Sequence, residues 1–456
     1  MASLPTSDFP KFIDGDVLLI ISTTQYYKLH SQVLQAHSPM FAQEMTTRPG
    51  PRLNAQARRE NAAAYRFELV KKPGDDEDPG QFLRIDVNDN GRSPKSSASL
   101  GTLPDNNNGK PANIINQAWE WLFGIFYNRE PTFDDSGLAS VLACVMALIE
   151  VSESIGALEH VCDIVDLALM RQDTVLWSAV MGDPNVWIEL GRRVRSPAIY
   201  REAAIHLVGQ WDVLSEDKKS RIGADIREIL QRKADELALA KEAIELRILG
   251  HYPQFMTRTA SSKPGRPTYS ADIYMWMCVS FFRQWFAQGI SDDRTRRAPD
   301  GGLNFYAALH EGGGAYLTHM DFKTFHQFFP MSIKACHVLE ANMGVLKEDI
   351  KQFVGDLMTE RTHLKRAEHE IGWLTCAKIE KEDLPWANDV RGHRAQDGLE
   401  QVYAGMEAEQ AMDHEQTPPR PKKRARMFVE EDEDEDDDEG MFVPQDGVDV
   451  MDEDGE

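Results

Sequence analysis

The strongest constraint on the fold is a change of hydrophobic period near residue 113. Beyond it, Ile115, Ala118/Trp119, Leu122/Phe123 and Phe126 recur at three-to-four spacing. Leu138, Val141/Leu142, Val145 and Leu148/Ile149 repeat that spacing, and Leu158, Val161, Val165 and Leu169 do so again. Each set lays an apolar stripe along one side of a helix, and such a stripe must be buried against another element. Before residue 113 the period is different. Val17–Ile21 is an unbroken apolar run behind the turn Asp14-Gly15-Asp16, which suits a strand covered on both faces. Gln25–Leu29 reads as a second strand, reached through Ser22-Thr23-Thr24. Leu29, Val33, Leu34 and His37 shift to helical spacing. Ser38-Pro39 ends that helix and opens another, with Phe41 and Met45 inward, because serine caps a helix and proline fits its first position. Phe82, Ile85 and Val87 make a further strand, closed by Asn88-Asp89-Asn90-Gly91. Strand, strand, helix, helix, strand and then helices predicts an α+β fold, a small sheet capped by helices, rather than alternating βαβ units.

Composition divides the chain further. Residues 12–170 form the predicted first domain, with polar insertions at about 46–80 and 91–112. Residues 171–387 form a mostly α-helical second domain, and 388–456 are a polar, low-complexity tail predicted to be disordered. In the second domain, 187–211 reads as two amphipathic helices split at Ser196-Pro197, with Arg192, Arg193, Arg195 and Arg201 on a solvated face. A long helix over Arg221–Leu249 carries an apolar side that Lys233 and Ala234 interrupt, so packing within the domain is expected rather than a zipper. Tyr274, Trp276, Phe281, Phe282, Trp285 and Phe286 are expected in the core.

The formal net charge of the 456 residues is −24, from 50 Lys+Arg and 74 Asp+Glu. Sixteen of the acidic residues lie in Glu430–Glu456, which has no basic residue. The other 429 residues therefore hold 58 acidic against 50 basic groups, a balance of −8. Direct nucleic-acid binding is disfavoured, since phosphate attraction depends on cationic side chains. The five cysteines show no C-x-x-C pairing and fit free, buried thiols in a reducing compartment. Met1–Pro10 lacks a basic flank followed by an apolar core, so no signal peptide is expected. Ile273–Phe282 is about half the ~20 apolar residues that span a bilayer.

Asp14–Ile20 (D-G-D-V-L-L-I) and His30–Phe41 (H-S-Q-V-L-Q-A-H-S-P-M-F) together resemble the BTB/POZ family. Asp16, Val17, His30, Val33, Leu34, Ser38, Pro39 and Phe41 stand where that family's pattern has Asp-Val, His, Val-Leu and Ser-Pro-x-Phe. Phe126–Glu130 resembles the turn ending the family's third helix, with Asn and Arg in place of Thr and Gly. Trp187–Trp211 is similar to a helical region that follows the BTB domain in filamentous-fungal proteins. The resemblance implies a structural role for the motif residues and a protein-binding adaptor. It also implies a homodimer through the BTB-like domain, although the N-terminus lacks the helix and strand that some members exchange. A substrate adaptor of a cullin-type ubiquitin ligase is the alternative it implies.

No enzymatic signature appears: G-x-x-x-x-G-K-[ST], G-x-S-x-G and H-E-x-x-H are all missing. His310-Glu311-Gly312-Gly313-Gly314 is glycine-rich without a nucleophile elbow to serve and is expected to be a flexible loop. His363, His369 and Cys376 lack zinc spacing and a fourth ligand, so no metal and no cofactor is assigned. Lys263-Pro264-Gly265-Arg266-Pro267 contains a Gly-Arg-Pro core but is read as a linker. Arg420, Lys422, Lys423, Arg424 and Arg426 place five cations in seven residues, the pattern of a nuclear localisation signal. The expectation is a non-enzymatic nuclear scaffold or adaptor with basic protein partners, linked to chromatin or transcription. An enzyme with an unrecognised site in residues 250–387 is the weaker alternative.

Overall fold

The computed structural model describes residues 9–387, apart from 23–24, 73, 75–77, 94–112, 254–255, 257–268, 293–294, 296–297 and 329. The apolar run becomes β1 (Val17–Ile20) and is followed by β2 (Tyr26–Leu29), α1 (Ser31–His37) and α2 (Pro39–Thr47). Next come α3 (Ala55–Arg59), β3 (Tyr65–Val70) and β4 (Gln81–Ile85). The four strands form one mixed sheet in the order β2-β1-β3-β4. β1 runs antiparallel to β2, with Val17 opposite Leu29, and parallel to β3, with Val17 opposite Tyr65. β3 and β4 are antiparallel.

The insertion expected over 46–80 is thus corrected. It contains α3 and an interior strand of the sheet. Tyr65, Phe67 and Leu69 alternate with Arg66 and Glu68, a period-two strand signal that the polar composition of 46–80 hid. In the fold Arg66 Nη2 meets Glu68 Oε1 at 2.5 Å, so Glu68 is buried with a matched charge. Most of the second expected insertion, 94–112, lies outside the described residues.

The motif residues near the N-terminus build the corner between sheet and helices. Val17, Leu34 and Phe41 are fully buried, and Val33 is half-buried. The two Asp16 carboxylate oxygens accept from Ser31 N and Ser31 Oγ, each at 2.6 Å, which satisfies the open end of α1. Ser38 caps α2 by accepting from Phe41 N at 3.4 Å and donates to Ile155 O at 2.7 Å; Pro39 takes the first helical position. His30 N donates to Tyr127 Oη at 3.0 Å, and its Nε2 lies 3.3 Å from Asp14.

Helices α4 (Ile114–Phe126), α5 (Leu138–Ser154) and α6 (Cys162–Met170) follow the three stripes. Trp119 and Phe123 from α4 stack at 5.6 Å, and Phe82 of β4 meets Trp119 edge-on at 4.9 Å, joining the sheet to the helices. Then come α7 (Asp173–Gly182), α8 (Pro184–Arg193), α9 (Pro197–Gly209), α10 (Glu216–Ser220) and α11 (Ala224–Gly250). Ser196 divides α8 from α9 as expected, accepting from Ile199 N at 3.2 Å. α9, however, is not half-solvated. Glu202 and His206 are buried along with its apolar residues, because the extended segment 359–387 passes over it. Gly209 permits that approach: a Cβ there would lie 2.2 Å from Leu374 O. The same segment is tied to α11 by Asp383, which meets Arg232 at 2.6 Å and Lys233 at 2.9 Å. Lys233, which breaks the apolar side of α11, therefore holds an intramolecular contact.

Among the described residues no helix is long and apolar enough to cross a membrane.

Candidate interaction surface

Four helices complete the described chain: α12 (Tyr269–Ser291), α13 (Leu303–Glu311), α14 (His319–Phe328) and α15 (Ile333–Val354). Their shared core is aromatic and methionine-rich. Phe282 and Phe286 are fully buried and stack at 5.7 Å, while Trp285 stacks on Tyr316 at 4.6 Å with an interplanar angle of 14°. Met343, Leu346 and Ile350 of α15 face them from the same cluster. Cys278 donates to Leu339 O at 3.1 Å, and burial pushes its thiol up to about 12, so it is a packing group and not a nucleophile.

The glycine-rich loop after α13 is fixed from inside. Lys347 lies on the buried stripe of α15, and its ammonium donates to Gly313 O at 2.6 Å, Tyr316 O at 2.5 Å and Leu317 O at 3.2 Å. It also sits 4.7 Å from the centroid of the Tyr316 ring. Burial pulls the Lys347 pKa below the usual lysine range. The loop turns carbonyl oxygens towards a cation, and the N–H groups of Gly312 and Ala315 are spent on Ala308 O and Gly312 O. An oxyanion cradle needs the reverse arrangement, with N–H groups converging on the site. The flexible loop expected from the sequence is instead pinned at three carbonyls.

Not all of the aromatic cluster is core. Trp276 is 51% exposed. Its ring meets the edge of Tyr252 at 5.7 Å, and the Arg283 guanidinium lies 4.1 Å from the centroid of the same Tyr252 ring. Arg283 also donates to Tyr252 Oη at 2.7 Å and to His251 O at 3.2 Å, which fixes the tyrosine and the guanidinium against each other. Tryptophan, tyrosine and arginine are the residue types that dominate binding energy at protein interfaces. Elsewhere on these helices Phe328 is 75% exposed and Ile333 is 77% exposed. Sequence reasoning missed Trp276 because Ile273 and Val279, three residues to either side, are apolar, which makes it resemble a core position.

Of the groups weighed for metal binding, His363 is committed to Glu202, donating its backbone N–H and lying 2.9 Å away through Nδ1. Arg420, Lys422, Lys423, Arg424 and Arg426, the acidic run, the tail from residue 388 and the Lys263–Pro267 linker all lie outside the described residues.

A family model described as the FF domain, of fungal type, matches residues 253–356, which is α12 to α15 with the segment leading into them. The match takes in 104 of the 456 residues. Comparison with curated proteins and with solved structures gives no match. FF domains are protein–protein interaction modules.

These findings overturn the BTB/POZ resemblance: the family matched is the FF domain, it lies in the helical part, and no BTB/POZ match is found. The homodimer and the cullin-linked adaptor lose the basis that the resemblance lent them. The physical reason lies in the residues that carried it. Asp16 satisfying Ser31, Ser38-Pro39 starting α2, and Val17, Leu34 and Phe41 entering the core are what a strand-to-helix corner requires. Capping and burial rules generate that pattern without common descent.

Proposed function

We propose that this chain is a non-enzymatic scaffold that binds protein partners through the FF-like segment 253–356, with Trp276, Tyr252 and Arg283 as the energetic centre of the surface. The observation that carries the reading is this half-exposed trio, with Trp276 and Arg283 on the segment that matches an interaction module and Tyr252 immediately before it. An exposed tryptophan held edge-on to a tyrosine, itself clamped by an arginine, offers a large preorganised contact at low entropic cost.

The test is affinity purification of the tagged full chain alongside Trp276→Ala and the double variant Phe328→Asp/Ile333→Asp. Trp276→Ala is expected to weaken capture of at least one partner by tenfold or more, since truncating a central interface residue costs roughly 2 kcal/mol. Its effect on stability should stay near ~0.5 kcal/mol, as for other surface changes. An unchanged partner set from both variants would remove this surface from the proposal.

Nuclear entry through Arg420, Lys422, Lys423, Arg424 and Arg426 belongs to the same proposal, as does engagement of basic, chromatin-associated proteins by the acidic run Glu430–Glu456. Both are supported by the charge pattern of the sequence. Deleting Lys422–Arg426 should shift a fluorescent fusion from nucleus to cytoplasm. Undiminished nuclear signal in the deletion variant would discard that part.

A further inference from the structure

We infer that a cavity beside Lys241 is a binding site for a small monocarboxylate that also carries a hydrogen-bond donor, the chemistry of an amino acid. Lys241 is 7% exposed, on the buried side of α11 that also presents Ile226, Leu230 and Ile248. Its ammonium makes one hydrogen bond among the described residues, to Gly301 O at 3.4 Å, and no salt bridge. A buried ammonium normally has two or three close acceptors, as Lys347 does in this same fold, because an unpaired buried charge is costly. Glu245, one turn further along α11, does not supply the missing charge; its Oε1 accepts from Tyr306 Oη at 2.6 Å.

Lys241 lines a cavity of about 460 Å³ between the end of α9, the middle of α11 and Ala298, Pro299 and Gly301. That volume lies in the range of small-molecule sites. Leu237, Val213 and Leu374 give it an apolar side, while Gln210 and Asp212 give it a polar one. The cavity wall beside Lys241 presents further acceptors. Gly209 O faces Gly301 closely enough that a Cβ at Gly301 would lie 3.6 Å from it. The hydrogen bonds that close α9 go to Leu207 O, Val208 O and Gln210 O, leaving Gly209 O outside that set. With the negative end of the α9 dipole and the Asp212 carboxylate on this side, a dianion such as phosphate is disfavoured. One buried cation facing acceptors favours a single carboxylate joined to a donor, with an apolar portion against Leu237 and Leu374. The site is independent of the interaction surface proposed above, so either stands without the other.

The experiment is thermal unfolding and titration calorimetry of the full chain with sodium acetate, L-leucine and L-leucinamide, each matched for ionic strength with sodium chloride. Acetate at tens of millimolar should raise the melting temperature by roughly 1–2 °C over chloride, as weak binding to the folded state requires. L-Leucine should bind saturably at least tenfold more tightly than acetate, and L-leucinamide, which lacks the carboxylate, should have no effect. Lys241→Met should abolish both responses. Ala238→Phe, which fills the cavity and leaves the lysine in place, should do the same and keeps the test valid should Lys241→Met fail to fold. Equal melting temperatures in acetate and chloride would overturn the site. Acetate binding without tighter leucine binding would overturn the assigned ligand class, and retention of binding in Ala238→Phe would overturn its location.

Discussion

Lys347→Met is expected to lower the unfolding free energy of the full chain by about 3 kcal/mol. Methionine matches the length and apolar stem of lysine, so the stripe Leu339, Met343, Leu346, Ile350 on α15 keeps its packing. What disappears is the ammonium, and with it the donor for Gly313 O, Tyr316 O and Leu317 O. A buried acceptor left without a donor costs roughly 1–3 kcal/mol. The total stays below the sum for three because removing the charge also removes its burial penalty and because the loop can turn outward to water. Urea titration should show a lower midpoint with an unchanged slope, and amide exchange should accelerate first over residues 312–317. Lys347→Arg should recover little, because a planar fork does not fit three carbonyls converging on a point donor. A midpoint within experimental error of the wild type would mean that the carbonyl contacts contribute nothing net.

Lys347 also shows where sequence reasoning stops. Its position is legible: it falls on the apolar stripe of α15, where a lysine is out of place. Glu202 and His206, spaced i,i+4 among the apolar residues of α9, give the same signal. A charged residue on a buried face must find a partner, but the pattern does not name it. Lys347 finds carbonyls about thirty residues upstream; Glu202 finds His363, 161 positions away. Periodicity performed well where it is local. It anticipated β1, β2, the α1–α2 corner and α4 to α6, all of which rest on spacing and capping within one element. At β3 the alternation of Tyr65, Phe67 and Leu69 with the Arg66–Glu68 pair was outweighed by the polar composition around it, so an interior strand read as polar insertion. Periodicity failed at Trp276, whose exposure depends on which neighbours α12 has. The family resemblance failed for a related reason, since its motif residues encode a corner that physical rules produce repeatedly.

Glu202→Gln is the second large effect, and its pH dependence separates it from a simple packing loss. Glu202 is 1% exposed, and three N–H groups converge on its carboxylate. The backbone N of His363 donates at 3.1 Å, and Nδ1 of the same ring lies at 2.9 Å. His206 Nε2 lies 3.4 Å away. Trp373 Nε1 donates to His206 Nδ1 at 3.1 Å, so that nitrogen is unprotonated and the neutral ring carries its proton on Nε2, towards the carboxylate. This last contact is a dipolar attraction with poor hydrogen-bond alignment, since His206 Nε2 has no directed partner among the described residues. His363 is held in place by stacking on Trp177 at 3.9 Å. Burial alone would raise the Glu202 pKa, but its contacts with His206 and His363 outweigh it and hold the carboxyl below its ordinary value. A glutamine has one acceptor oxygen, and its amide nitrogen would face another donor, so the substitution should cost about 2–4 kcal/mol at pH 7. Because the folded pKa lies below the unfolded one, the unfolded state binds the extra proton between the two values. The stabilisation is therefore fully present above about pH 4.5 and declines as pH falls through the folded pKa. Urea midpoints measured from pH 7 to pH 3 should show the wild type losing stability more steeply than Glu202→Gln at the acid end, so that the two curves converge. Parallel curves across that range would show that the carboxylate charge does not hold segment 359–387 on α9.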